Sequence, residues 1–260
     1  MTDRKPGSRR RASSGPRQTP RRQTPGTGVR PSAAGSLPEP RAEDIERDFQ
    51  EFERRLAESP VALTQATLTA LRRYGMLVAE RSGMLNLVSP GDRGRIFTRH
   101  LFESLVPGLI GRAEEAGRLV DVGSGAGLPG IPLALACPSL LAVLVEPRLR
   151  RAQFLEATVA GLGLSARVEV FHGTVERYIV SRPPVQAGLV TARAVGSLPR
   201  VWTWSLDLLV PGGWLAVFKG PSEAAEETAL LAGPAPSDQE ICPIPGVPRV
   251  LLLLRKPIAG

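Results

Sequence analysis

The feature that most constrains this chain is a short apolar run, Arg118 to Val122, that passes directly into Gly123-Ser124-Gly125-Ala126-Gly127-Leu128-Pro129-Gly130. A strand that ends on alternating glycines has a backbone able to turn sharply and approach a ligand closely. A plain turn needs fewer glycines than this, so a nucleotide-like ligand is implied. The rest of the chain keeps a compatible rhythm. Strand-like runs at Leu140 to Val145, Arg167 to Phe171, Gly188 to Thr191, Trp214 to Phe218 and Val250 to Leu254 alternate with helix-like stretches at Arg148 to Leu162, Leu198 to Leu209 and Ser222 to Leu231. Such alternation predicts a doubly wound α/β fold, a mostly parallel sheet covered on both faces. Ligands in these sheets lie beyond the carboxyl ends of the strands, where the strand order reverses. The loop after the first strand is therefore the expected site.

Residues 125 to 130 also satisfy G-x-G-x-x-G, so an NAD(P)-dependent oxidoreductase is a competing reading. Two details favour S-adenosylmethionine. Pro129 and Pro132 each remove an amide N–H from the helix start on which a pyrophosphate would rest. Asp121 sets a carboxylate just before the glycines, which suits the cationic methionine end of a sulfonium cofactor and opposes phosphate. Glu146, 21 residues beyond Gly125, is placed to accept hydrogen bonds from the ribose hydroxyls of either cofactor.

Three helical stretches are expected ahead of the first strand. Ile45, Phe49, Phe52 and Leu56 recur at helical steps before Ser59-Pro60, and further helices follow at about Leu63 to Glu80 and Arg93 to Ile110. The expected organisation is a basic arm at 1–41, a helical subdomain at 42–112 and a cofactor-binding domain at 113–260. The formal charge of +8 sits in the arm, where ten Lys or Arg face Asp3 and Glu39; residues 42–260 hold 23 basic and 23 acidic groups. The folded part is thus not a basic nucleic-acid-binding fold. Seven prolines, five glycines and no aromatic residue predict a disordered arm, either a salt-sensitive RNA contact or a solvated tail. No run approaches the ~18 to 20 apolar residues of a membrane span, and charges stand where a signal peptide would be apolar. Cys137 and Cys242 form no metal-binding pair. A soluble, cytoplasmic protein is expected, with no metal, no membrane association and no protein partner indicated.

The loop in its full length, DVGSGAGLPGIPLALACP, resembles the ribosomal small-subunit methyltransferase G family, also called glucose-inhibited division protein B. Further resemblances follow in order: Asn86-Leu87, Arg99-His100 with Glu103-Ser104, Glu146-Pro147, Arg150-Arg151, Phe154-Leu155, Val175-Glu176, Arg193-Ala194 and Lys219-Gly220. They extend over about residues 60 to 256, and the Leu-Pro-Gly-Ile-Pro continuation separates the loop from those of generic methyltransferases. Gly83-Met84-Leu85 departs from the family's Trp-Asn-Lys-type stretch, and the basic arm is additional. The resemblance implies a class I, Rossmann-like methyltransferase with a seven-stranded sheet and an N-terminal helical extension. It implies methyl transfer from S-adenosylmethionine to N7 of a guanine in 16S rRNA, guanine 527 of that molecule, with 16S rRNA or the 30S subunit as partner. The family's cofactor contacts fall on Gly123, Leu128, Val175, Glu176 and Arg193, beside Asp121, Gly125 and Glu146 from the loop. Arg99, His100 and Lys219 are candidates for catalysis or substrate contact. A methyltransferase acting on another RNA or a small molecule, or a non-catalytic RNA-binding protein, are the alternatives.

Guanine N7 carries an in-plane lone pair that is unprotonated at neutral pH, so attack on a sulfonium methyl requires no general base. Positioning would supply ~7 to 11 kcal/mol at most. The RNA major groove is too narrow to expose N7, so the base must lie in a loop, at a helix end or turned out. An arginine clamped on O6 and N7 would block the reaction. Arg193 and Lys219 are accordingly expected to engage O6 or phosphates.

Overall fold

The computed structural model describes residues 40–59, 62–181, 186–231 and 233–258. The expected basic arm lies outside them as far as residue 39. Seven strands form one sheet: β1 (Arg118–Val122), β2 (Leu141–Glu146), β3 (Val168–His172), β4 (Ala187–Ala192), β5 (Leu209–Lys219), β6 (Asp238–Pro243) and β7 (Val250–Arg255), in the order β3-β2-β1-β4-β5-β7-β6. β1 pairs in parallel with β2 and β4, Val122 standing beside Val145 and Ala192. β7 alone runs against its neighbours, β5 and β6. The chain moves outward from β1 to β3 and then returns to the far side of β1 as β4, which opens a crevice at their carboxyl ends.

The helices are α1 (Ala42–Ala57), α2 (Gln65–Leu85), α3 (Phe102–Leu109), α4 (Arg112–Ala116), α5 (Gly130–Ala136), α6 (Leu149–Gly161), α7 (Val175–Ser181), α8 (Leu198–Leu208) and α9 (Pro221–Thr228). Period-two alternation along the strands sorts their side chains into two layers. Leu119, Ala142 and Leu144 join a core with α1, α2, α3, α5 and α6, whereas Val120, Val143 and Val145 join one with α7 and α8. Phe49, Phe52 and Tyr74 therefore share one apolar cluster with the sheet.

The helix expected over 93–110 is broken by changes of pitch. A 3-10 segment (Pro90–Arg95) and a π-helical turn (Ile96–Leu101) precede α3. The leading amides of the π turn would lack acceptors, and Asp48 of α1 supplies them: its carboxylate accepts from Phe97 N at 2.7 Å, from Thr98 N at 3.2 Å and from the Thr98 hydroxyl. Turns of this pitch recur at functional sites, and this one carries Arg99 and His100.

Candidate functional site

Beyond β1 the backbone amides are almost all committed. Gly123 N and Ser124 N donate to the Val145 carbonyl at 2.8 and 3.1 Å, and Gly127 N and Leu128 N donate to the Ser124 carbonyl at 2.7 and 3.2 Å. Gly125 has a φ of 59°, a left-handed conformation that favours glycine. A Cβ there would meet nothing nearer than 3.8 Å, so the backbone borders open space. Gly130 is required by packing instead: a Cβ would lie 2.3 Å from Leu144 Cδ2 and 2.9 Å from Asp121 Oδ2.

Asp121 lies under this loop, not in the cleft that the loop borders. Its Oδ2 accepts from Gly130 N at 3.2 Å and its Oδ1 from the Thr191 hydroxyl at 2.8 Å. The side chain is buried, and that burial pushes its pKa up to about 6 against the lowering effect of Thr191 and the other donors. The position expected to face the cofactor thus caps the first amide of α5 and ties β1 to β4. Glu146 acts similarly at the end of β2. One carboxylate oxygen accepts from Gly125 N and the other from Arg148 N, each at 2.8 Å.

The loop forms one wall of a cleft of about 240 Å3. Of the residues singled out from the sequence, Gly123, Gly125, Leu128, His100 and Arg193 line it. The opposite wall comes from the segment after α2. Asn86 ends that helix in a left-handed conformation with φ of 50°, and the chain then turns to present Leu87, Val88 and Ser89. Arg151 of α6 donates to the Asn86 carbonyl across the mouth. Tyr74 was not foreseen: its buried hydroxyl donates to the Ala126 carbonyl at 2.9 Å, joining α2 to the glycine loop. An aromatic residue on an apolar helix face gives no sign in the sequence of such a distant acceptor.

Behind the cleft lies a buried polar cluster. Arg193 donates to His100 Nδ1 and stands 3.5 Å from the fully buried carboxylate of Glu103. With Nδ1 accepting, the neutral ring carries its proton on Nε2, which lies 3.7 Å from Asp92 Oδ2. Burial and the neighbouring Arg193 cation hold the His100 pKa down to about 3. Burial raises that of Glu103, against the pull of Arg193, Arg249 and Arg99. Asp92 collects Arg99 at 2.7 Å, Arg95 at 3.0 Å and the Ser89 hydroxyl at 2.6 Å. Burial would raise its pKa, and these partners with His100 outweigh that and lower it. Arg99 is therefore committed to Asp92 and does not line the cleft.

Three expected residues lie elsewhere. Val175 is buried in the core that α7 and α8 share with the sheet. Glu176 is exposed and pairs with Arg200 at 3.2 Å. Lys219 borders a neighbouring cleft, where its ammonium is held by Glu223 at 2.8 Å and Glu227 at 3.0 Å. A four-residue step along α9 brings both carboxylates to it, which the Lys-Gly pattern alone does not reveal. Among the described residues, no cluster of His, Cys, Asp or Glu is arranged to hold a metal ion.

Comparison with known proteins gives a consistent result. The family described as rRNA small subunit methyltransferase G matches residues 67–236. A ribosomal RNA small subunit methyltransferase G of Mycobacterium sp. (strain KMS) is 41% identical over 160 residues, 61% of this chain and 69% of that protein. One from Mycolicibacterium gilvum (strain PYR-GCK) is 43% identical over 161 residues, 62% of this chain and 68% of that protein. The O-methyltransferase TomG from Streptomyces achromogenes, solved in complex with SAM, superposes with a TM-score of 0.52 at 20% identity, covering 82% of this chain and 98% of that one. That likeness identifies the fold as the class I methyltransferase type.

Proposed function

We propose that this chain, which belongs to the rRNA small subunit methyltransferase G family, transfers the methyl group of S-adenosylmethionine to N7 of a guanine in 16S rRNA, guanine 527 by family naming. The observation that carries the cofactor half of this reading is the fate of the loop amides. A dinucleotide's pyrophosphate needs free N–H groups at a helix start. Here the Gly130 amide is capped by Asp121, and Gly123, Ser124, Gly125, Gly127 and Leu128 donate within the protein. A carboxylate at the start of α5 disfavours phosphate, while the open space beside Gly125 suits a nucleoside.

When bound, the cofactor supplies an electrophilic methyl group on sulfonium sulfur. Each Glu146 oxygen retains acceptor capacity for a ribose hydroxyl while holding its backbone donor. Leu87, Val88 and Leu128 give the cleft apolar surface that excludes water. Arg193 is held from behind by His100 and Glu103, leaving Nη1 buried without a hydrogen-bond partner among the described residues. His100 is neutral and engaged, so it is no base poised to take a proton, in keeping with attack by an N7 that has none to lose. Val175 and Glu176, beyond the lining, remain proposed cofactor contacts on the family resemblance alone.

The same reading places 16S rRNA or the 30S subunit as partner and the cytoplasm as location, with residues 42–112 as a helical subdomain and 113–260 as the methyltransferase domain. Among the described residues no helix is long and apolar enough to cross a membrane. Transfer of labelled methyl groups to 30S particles and to naked 16S rRNA that lack the modification, followed by mapping, tests the proposal. Label on one guanine N7 is expected; label on another atom or base would overturn it.

A further inference from the structure

The chain leaves β4 through Arg193 and Ala194, and Ala194 has a φ of 56°, an uncommon conformation for a residue with a Cβ. Such conformations cluster at functional sites. Here the turn stands between two cavities: Ala194 lines the cofactor cleft and also a smaller one of about 170 Å3. The second cleft takes its walls from Val195, Gly196 and Phe218, and its cations are Lys219 and Arg249. A nucleotide presented to a methyl group in the first cleft has to enter from a neighbouring space, and this is a neighbouring space with cations on its rim.

The two cations are not equivalent. Lys219 is nearly buried, and Glu223 and Glu227 neutralise it. Arg249, which precedes β7, is half-buried and has no ion-pair partner among the described residues. Arg249 lines the second cleft beside Lys219 and Glu223 and is absent from the lining of the first. A half-buried guanidinium with unused donors is suited to bidentate capture of a phosphate. On the guanine edge it would instead cover O6 and N7, which excludes that contact for a reaction at N7.

We propose that the second cleft seats the target nucleotide of the RNA and that Arg249, not Lys219, grips its phosphate. This rests on the methyltransferase reading above. The test uses the full chain with unmodified 30S particles, comparing wild type, Arg249→Ala, Arg249→Lys and Lys219→Met. The KM for 30S is followed across a salt series, and affinity for S-adenosylhomocysteine is measured by calorimetry.

Arg249→Ala should raise the KM about tenfold, as expected for losing a charge-assisted contact. It should also flatten the slope of log KM against log salt by about 0.7 to 0.9, one phosphate's share. Its affinity for S-adenosylhomocysteine should stay within about twofold. Arg249→Lys should restore the slope and part of the KM, and Lys219→Met should leave the slope unchanged. Unaltered KM and slope in Arg249→Ala would overturn the proposal. So would a raised KM with an unaltered slope, which puts the contact on the base, or a parallel loss of cofactor binding, which makes Arg249 a structural residue. Absence of transfer by the wild type would instead bring down the methyltransferase reading itself.

Discussion

On the sheet side of the cleft beside the glycine loop, every carboxylate oxygen of Asp121 and Glu146 has a donor from within the protein. On the helical side, His100 Nε2 and both oxygens of Glu103 are buried without a hydrogen-bond partner among the described residues, as is Nη1 of Arg193, which reaches them from the end of β4. A buried polar atom left unpaired costs about 1 to 3 kcal/mol. Native proteins retain few such atoms, and each calls for a physical reason. The sheet side is thus complete before any ligand arrives and presents a fixed backbone surface. The helical side is held by longer ion pairs, Arg193 with Glu103 at 3.5 Å and His100 Nε2 with Asp92 at 3.7 Å, and is less tightly fixed. The contrast teaches that cofactor binding and RNA methylation should be separable by mutation.

The largest expected effect falls on the complete side. Asp121→Ala leaves the Gly130 amide and the Thr191 hydroxyl unpaired beneath the loop and should lower stability by about 3 to 4 kcal/mol, with loss of cofactor binding. A loss below about 1 kcal/mol on urea denaturation would break the claim that this side is prebuilt. Asp121 also gives a pH test. Its folded pKa of about 6 stands above the ordinary 3.8, so its contribution is fully present below about pH 4 and is lost as pH rises through 6. At 1.36 kcal/mol per pKa unit this is about 3 kcal/mol. Asp121→Asn, which does not titrate, should gain that much on the wild type between pH 4 and pH 7, and parallel stability curves would contradict it.

Effects on the helical side should be smaller and should appear in turnover. His100→Ala removes the acceptor that holds Arg193 and should slow transfer by about ten- to a hundredfold, roughly 1.4 to 2.7 kcal/mol. Affinity for S-adenosylhomocysteine should change less than about threefold. His100→Asn places an oxygen where Nδ1 sits and should recover most of the rate. Since the His100 pKa is held near 3, the two active proteins should share one pH profile at neutral pH; an inflection near 6.5 present only in the wild type would show that the ring titrates there. The smallest effect is expected at the seam. Tyr74→Phe deletes the single bond to the Ala126 carbonyl and should cost about 1 kcal/mol in thermal stability. No change would mean that α2 and the glycine loop are not coupled through it.

The same contrast explains how much was legible in the sequence. The strand, glycine and apolar rhythm from Arg118 onward located six strands within a few residues, because buried parallel strands are marked by their own composition. β6 escaped because Asp238–Pro243 lies at the sheet edge with mostly exposed or half-buried side chains. The helix start at Pro129 and Pro132 is legible in the loop, but the end of α5 at Ala136 is not, because a helix of seven residues, six of them buried, shows no amphipathic period. The apolar spacing over 93–110 gave a single helix, since Ile96, Phe97 and Leu101 are buried whatever the pitch, and the acceptor that stabilises the π turn comes from Asp48, far away in sequence. That Gly123, Gly125 and Leu128 line one cleft is legible in the sequence because the loop is local. The commitment of Lys219 to Glu227, of Arg193 to Glu103, and the freedom of Arg249 depend on contacts between distant segments.

The most direct test of the central claim is a calorimetric titration of the folded wild-type chain with S-adenosylhomocysteine and, separately, with NAD. Saturable heat with S-adenosylhomocysteine at one site per chain, lost when Gly125→Val fills the open space, and no heat with NAD, is the predicted result. No saturable heat with S-adenosylhomocysteine, or saturable heat with NAD that Gly125→Val abolishes, would contradict it.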